Sequence, residues 1–428
     1  MSSKSIRNVS AIEIFDSRGN PTVLGRVELT DGTEARAAVP SGASTGRYEA
    51  LELRDNEMNR FKGKGVRRAV ENVKTRINHA LKGKPIDDLS MIDRAMIELD
   101  GTEYKSNLGA NATLAVSLAC GRLASKIAGL PLYEFIHQAF KFSGQSVSLP
   151  TPMLNIINGG QHSDAGMDIQ EYMIMPKASS FHEQVRIGSE IFHALGDVLT
   201  RRKFQTLVGD EGGYGPRLSA NNQAFEIIIE ASRNTNFHIG EDFNLAVDAA
   251  ANSFYSAGSD KYDLALDMAK LKTDQLIDLY GQWIERYHLK SIEDGLREDD
   301  WNGWQKLTNR LGKKALIVGD DLFVTNPIRL KEGIRRKAGN AIIIKPNQIG
   351  TLTETIDCLK LAQSNHYQIV IGNRSGETID DFIADLSVGV GAEYIKAGSV
   401  CRGERLAKYN RLLEIEMELN EWKTPNRI

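Results

Sequence analysis

Beyond residue 240 the chain repeats one pattern: a short apolar run, rich in β-branched residues, that stops on a polar residue. Leu245-Ala246-Val247 stops on Asp248, Ser291-Ile292 on Glu293, and Leu316-Ile317-Val318-Gly319 on Asp320. Ile342-Ile343-Ile344 stops on Lys345, Ile369-Val370-Ile371-Gly372 on Asn373 and Arg374, and Tyr394-Ile395 on Lys396. Apolar runs without alternation are the mark of strands buried on both faces, as in a parallel sheet covered by helices. From Glu293 onward the tips stand 27, 25, 28 and 23 residues apart, room for one strand, one helix and two short loops. The intervening segments, Asn326 to Arg336, Thr353 to Gln363 and Thr378 to Leu386, read as helices. Repeats of this kind over residues 141–428 fit a closed β/α barrel better than an open sheet, and a barrel turns every tip toward one mouth.

That convergence gives the tips their chemistry. Lys345 ends a fully apolar strand, and Pro346 after it cannot donate to a ladder, so the strand stops there. A lone lysine at a strand end is ordinary; at the mouth of a barrel it is a working group. Asp248, Glu293 and Asp320 bring three carboxylates to the same mouth, where they repel unless a cation neutralises them, and such a set suits Mg²⁺. Lys345, Arg374 and Lys396 face them, and a lysine beside a metal has an electrostatic reason to give up its proton and act as a base. Arg374-Ser375-Gly376 offers a guanidinium, a hydroxyl and backbone donors suited to phosphate. The glycine-framed loop Val208-Gly209-Asp210-Glu211-Gly212-Gly213 presents Glu211, while His162, Gln170 and Glu171 add further polar groups. Together these parts describe proton abstraction beside a carboxylate with loss of a β-hydroxyl.

The first third of the chain has another rhythm. Residues 6–39 alternate like a β-meander, broken at Ser17-Arg18-Gly19-Asn20-Pro21 and Thr30-Asp31-Gly32. The stretch Pro40-Ser41-Gly42-Ala43-Ser44-Thr45-Gly46 is either a linker or a lid with oxygen ligands. Residues 65–140 read as helical, with Val66, Val70, Val73, Ile77 and Leu81 forming one stripe. The expectation is an N-terminal α+β capping domain (1–140) and a C-terminal (β/α)8-type barrel (141–428), joined near Phe142 to Pro150. A balance of 53 basic against 56 acidic residues gives −3, which favours neither nucleic acid nor an anionic membrane as partner. Cys120, Cys358 and Cys401 form no metal spacing or disulfide framework. With no apolar leader or run of membrane-spanning length, the expectation is a soluble, cytoplasmic protein.

Several long strings carry a resemblance: Asp16-Ser17-Arg18-Gly19-Asn20-Pro21, Ser41-Gly42-Ala43-Ser44-Thr45-Gly46, Ser291-Ile292-Glu293-Asp294-Gly295-Leu296, Gly319-Asp320-Asp321-Leu322, Asn347-Gln348-Ile349-Gly350, Arg374-Ser375-Gly376-Glu377-Thr378 and Leu406-Ala407-Lys408-Tyr409-Asn410. Over nearly its whole length the chain resembles the enolases. The resemblance implies a barrel with a partly antiparallel start and reversible, Mg²⁺-dependent dehydration of 2-phosphoglycerate to phosphoenolpyruvate. By motif it implies Lys345 as base at C2 and Glu211 as acid at the C3 hydroxyl, with Glu171 nearby. It further implies Asp248, Glu293 and Asp320 as ligands of a first Mg²⁺, and Ser41 as a ligand of a second. His162, Gln170, Arg374, Ser375 and Lys396 then position the substrate.

Departures from the family pattern cluster in two places. Gly372-Asn373-Arg374 replaces the family's usual Ser-His-Arg, Pro346 replaces a bulky apolar residue, and Ala397 replaces a threonine. These leave open a paralogue acting on a related phosphate or phosphonate hydroxy acid, or a binding role on a retained fold. The second cluster concerns assembly: Ile12 and Met417 stand where enolases carry an ion pair, and Leu24 and Glu414 replace the reverse pair. The expected assembly is a homodimer or a ring of dimers.

Overall fold

The computed structural model describes residues 4–42, 46–142 and 147–423. The meander forms as expected: β1 (Ile6–Phe15), β2 (Pro21–Leu29) and β3 (Glu34–Ala38) pair antiparallel in sequence order. The helix Ala110–Ala128 lies so close to this sheet that a Cβ on Gly25 would come within 2.8 Å of the Ala115 backbone, so only glycine fits there. Val66, Val70, Val73, Ile77 and Leu81 are all buried. Helix does not run unbroken over 65–140: π-helical winding interrupts it at Val73–Ile77, and it restarts at Leu89 and Ala110. Asp88 caps the Leu89–Asp100 helix by accepting from the Met91 N–H.

The larger sheet begins with β4 (Thr151–Pro152), β5 (Leu154–Asn158), β6 (Glu171–Pro176) and β7 (Phe243–Asp248). A small antiparallel sheet of β8 (Tyr255–Ser256), β9 (Lys261–Leu264) and β10 (Ala269–Leu271) follows, a feature no sequence signal announced. The repeats then supply β11 (Leu289–Glu293), β12 (Leu316–Gly319), β13 (Ala341–Ile344), β14 (Gln368–Gly372) and β15 (Tyr394–Lys396). The order is β4-β15-β14-β13-β12-β11-β7-β6-β5. Since β4 and β5 are consecutive apart from Met153, whose N–H donates to Ile395 O, the sheet closes on itself into a barrel. β6 alone runs antiparallel to its neighbours β5 and β7, and all later neighbours are parallel. This is the expected α/β barrel with a partly antiparallel start and an N-terminal cap.

Strand alternation divides the core. Met153, Met173, Met175, Ala246, Val318, Ala341, Ile343 and Val370 form a separate inner cluster. Their neighbours Ile174, Val247, Ile317, Ile342, Ile344, Ile369 and Ile371 join the outer core with the helices. The cap docks on loops at the strand ends. Asp93 accepts from Thr353 N–H and Oγ1 at 2.9 and 2.7 Å. Asp380 accepts from the Ala38 N–H at 2.9 Å and pairs with Arg122. The helix after β14 spans Phe382–Gly389 and not Thr378 to Leu386. No single helix among the described residues is long and apolar enough to cross a membrane.

Candidate active site

The two-residue period that points Ile343 into the barrel also points Lys345 there. By the same parity Ala246 is followed by Asp248, Ser291 by Glu293, Val318 by Asp320, and Val370 by Gly372. Because β6 runs the other way, its first residue, Glu171, lies at this same end, in register with Asn158 and Asp248. One correction follows: the inward tip of β14 is Gly372, not Asn373. With its amide oriented so that both ends are satisfied, Asn373 donates to Lys396 O at 3.0 Å and accepts from Arg405. It braces the Lys396 strand from outside the barrel.

The site is a network of buried charges. Lys396 Nζ lies 2.7 Å from Glu293, 3.0 Å from Asp248 and 3.2 Å from Glu171. Lys345 Nζ contacts Asp320, and Gln348 donates to the other Asp320 oxygen at 2.8 Å. Thr325 fixes Gln348 at 2.7 Å and receives the Lys345 N–H at 2.9 Å, so the Asn347-Gln348 motif orients a carboxylate. Gln170 donates to Asp248 at 3.2 Å. His162 Nδ1 lies 3.2 Å from Glu171 Oε1 but lacks hydrogen-bond alignment.

Glu211 sits on a turn that only glycines permit: a Cβ on Gly212 would meet Cys401 O at 2.6 Å, and one on Gly209 would meet His162 O at 2.5 Å. Ser41 is buried, tied to Gly376 by two backbone hydrogen bonds of 2.7 and 2.9 Å, and its hydroxyl donates to Asp16. Ala43, Ser44 and Thr45 of the expected lid, and part of the expected connector, lie outside the described residues. Ser375 is buried beside Arg374. Arg374 faces Glu49 from the cap, at 2.7 and 3.1 Å.

These contacts set protonation. Burial disfavours the Lys345 ammonium, but Asp320 outweighs it and holds Lys345 above its usual range. Burial likewise favours a neutral Glu211, yet His162, Arg405, Lys396 and Lys345 together push it down to about 2. Burial and Asp248 push Glu293 well up, and burial with Glu211 raises Glu171. Carboxylates forced toward protonation beside two lysines indicate a site short of positive charge.

Sequence reasoning missed three participants. Asp294, at φ 43°, accepts from the Asp320 and Asp321 N–H groups at 3.0 and 2.9 Å. Arg405 is fully buried and donates to the carbonyls of Arg374, Ser375 and Asp210 at 2.6, 2.7 and 3.0 Å, stapling the Arg374 loop to the Glu211 loop. Glu49 is the third. Arg405 acts through backbone carbonyls and so leaves no motif of its own.

The donor set fits a divalent cation. Among the described residues, Asp294-Asp320-Asp321 and His162-Glu171-Glu211 each bring ligand atoms within 4.8 Å of one another. Glu293 Oε1 and Gln170 Oε1 are buried without a hydrogen-bond partner. Oxygen donors in this surplus are what a hard cation takes. Asp248, Glu293 and Asp320 themselves are held by the two lysines. A cavity of about 510 Å³, lined in part by Gln170, Asp248, Asp294, Asp320 and Asp321, opens beside these carboxylates.

The enolase N-terminal domain model matches residues 6–136, and the model of the enolase C-terminal TIM barrel domain matches residues 146–425. The chain belongs to the enolase family, whose domains imply a lyase-type enzyme working with a metal.

Proposed function

We propose that the protein catalyses the reversible dehydration of 2-phosphoglycerate to phosphoenolpyruvate with Mg²⁺, two ions per site. The observation that carries this reading is one buried cluster of charges at the barrel mouth, with Lys345 on Asp320, Lys396 on Glu171, and Glu211 within ligand distance of Glu171 and His162. Asp248, Glu293 and Asp320 would hold one ion, and Ser41 would contribute to the second. Bound there, Mg²⁺ supplies charge stabilisation for a substrate carboxylate that gains negative charge as the C2 proton leaves.

The protein's own groups do the proton work. In the dehydration direction Lys345 removes the C2 proton and Glu211 protonates the departing C3 hydroxyl, with His162 and Glu171 beside it. Lys396 and Gln170 hold the carboxylate end, and Arg374 with Ser375 takes the phosphate. Hydration of phosphoenolpyruvate requires an ammonium on Lys345 and a carboxylate on Glu211, the directions in which their buried charged neighbours push them. Lys345 then delivers a proton to C2 and Glu211 takes one from water. Dehydration needs the opposite states, a neutral Lys345 and a protonated Glu211, and the substrate's anionic groups would raise Glu211 toward the acid form.

Ultraviolet absorbance of the enol phosphate, followed with 2-phosphoglycerate and Mg²⁺, tests the reading; a folded protein that leaves the substrate unchanged would refute it. We also propose a homodimer, or a ring of dimers. Ile12 and Met417 are 54 and 57 % exposed, apolar surface suited to a contact between copies. A monomeric mass by light scattering at micromolar protein would overturn that assembly. A cytoplasmic location is part of the same reading.

A further inference from the structure

The buried ion pair between Glu49 and Arg374 belongs to none of the roles above. We propose that Glu49 is a positioning residue of the anion clamp, holding the Arg374 guanidinium by both terminal nitrogens so that it is set for a phosphate before one arrives. The inference rests on the reading that Arg374 binds the substrate phosphate.

The geometry is bidentate: Glu49 Oε2 lies 2.7 Å from Arg374 Nη1, and Oε1 lies 3.1 Å from Nη2. Asn347 Oδ1 accepts from the same Nη1 at 3.3 Å. Both side chains are withdrawn from solvent, at 4 and 8 % exposure. A parallel two-bond pairing fixes the plane of the guanidinium as well as its place.

Glu49 is itself held. Its Oε1 accepts from the Gly46 N–H at 2.8 Å, and its own N–H donates to Gly46 O at 3.1 Å. The next N–H, of Ala50, donates to Gln348 O at 2.8 Å, and Gln348 is the residue that orients Asp320. The cap thereby places a carboxylate against Arg374 from a turn anchored to the segment that follows Lys345.

The competing carboxylates say why this matters. Asp320 and Glu52 also act on the Arg374 charge, and Asp320 is the partner of Lys345. A buried guanidinium deprived of Glu49 would turn to one of them, because an unpaired buried charge is costly. Turning to Asp320 would take Arg374 off the phosphate position and loosen Asp320 from Lys345. With Glu49 in place the arginine is already ordered, which removes much of the cost of ordering it when a ligand binds.

The test compares wild type, Glu49→Gln, Glu49→Asp and Arg374→Gln by titration with inorganic phosphate in Mg²⁺ buffer and by steady-state kinetics with 2-phosphoglycerate. Glu49→Gln is expected to weaken phosphate binding and raise KM by about tenfold, with kcat changed by less than about threefold. Glu49→Asp, which keeps the charge on a shorter arm, should fall between and serves if Glu49→Gln does not fold. Arg374→Gln should lose phosphate binding; unchanged affinity there would mean that Arg374 is not the clamp, and the reading beneath this inference would fail. If Arg374→Gln loses binding while Glu49→Gln and Glu49→Asp keep wild-type affinity, or bind phosphate more tightly, Glu49 does not position the clamp and the inference is overturned.

Discussion

Gly372 offers a sharp test of how the Lys345 side chain is placed. It is the inward tip of β14, and a Cβ added there would lie 2.7 Å from Ile343 Cγ2, 3.1 Å from Lys345 Cε and 3.2 Å from Lys345 Cγ. Ile343 is fully buried in the inner cluster, so it cannot retreat without disturbing Val370 and the methionines around it. Overpacking of this kind costs about 1–3 kcal/mol. The lysine stem must also give way by a few tenths of an ångström. Since a displacement of about 1 Å can cost on the order of a hundredfold in rate, a shift of this size should cost about three- to tenfold. Gly372→Ala is therefore expected to lower the thermal midpoint by a few degrees and to slow exchange of the C2 hydrogen of 2-phosphoglycerate into D₂O. The KM should stay near wild type, because Arg374 and Lys396 are untouched. The family's usual serine brings the same Cβ, so Gly372→Ser should behave alike. A Gly372→Ala variant that melts and exchanges like wild type would refute the reasoning that this glycine makes room for the base.

Two further outcomes follow from buried groups. Arg405→Met leaves the carbonyls of Asp210, Arg374 and Ser375 without their donor, and unpaired buried acceptors cost about 1–3 kcal/mol each. It also removes a charge that lowers Glu211. In phosphoenolpyruvate hydration, where Glu211 acts ionised, the acid limb of the pH–rate profile should move to higher pH, and an unmoved limb would count against the staple. Asp93, where the cap meets the barrel, has its carboxyl raised from 3.8 to about 6, chiefly by burial. A carboxyl raised in the fold binds protons more tightly than in the unfolded chain, so its contribution to stability grows as pH falls from about 7 toward 4. Between pH 7 and 5 the wild type should gain about 1 kcal/mol relative to Asp93→Asn, measured by denaturant unfolding at each pH; no such difference would contradict the shift.

Much of this site could be read from the chain because strand parity is written in it. Runs such as Ile342-Ile343-Ile344 announce buried strands, and the polar residue after each run announces the mouth. The same parity corrects the tip of β14: Asn373 is the first polar residue after Ile371 and Gly372, yet Gly372 is the one that faces inward. The antiparallel β6 came from the family resemblance alone, since Tyr172-Met173-Ile174-Met175 is as apolar as a parallel strand would be. Glu49 and Arg405 were invisible for another reason. Each lies among other charged residues in a segment that reads as surface, and each becomes meaningful only when folding brings it to Arg374, more than three hundred residues from Glu49.

The central claim is that Lys345 and Glu211 interconvert 2-phosphoglycerate and phosphoenolpyruvate at a Mg²⁺-dependent site. The most direct measurement follows enol phosphate absorbance from 2-phosphoglycerate with and without Mg²⁺, for wild type beside Lys345→Ala and Glu211→Gln. The account predicts turnover by wild type that stops on chelation and is abolished in both variants. Wild-type protein that is folded and supplied with Mg²⁺ yet forms no phosphoenolpyruvate, or a Lys345→Ala variant that retains wild-type turnover, would contradict it.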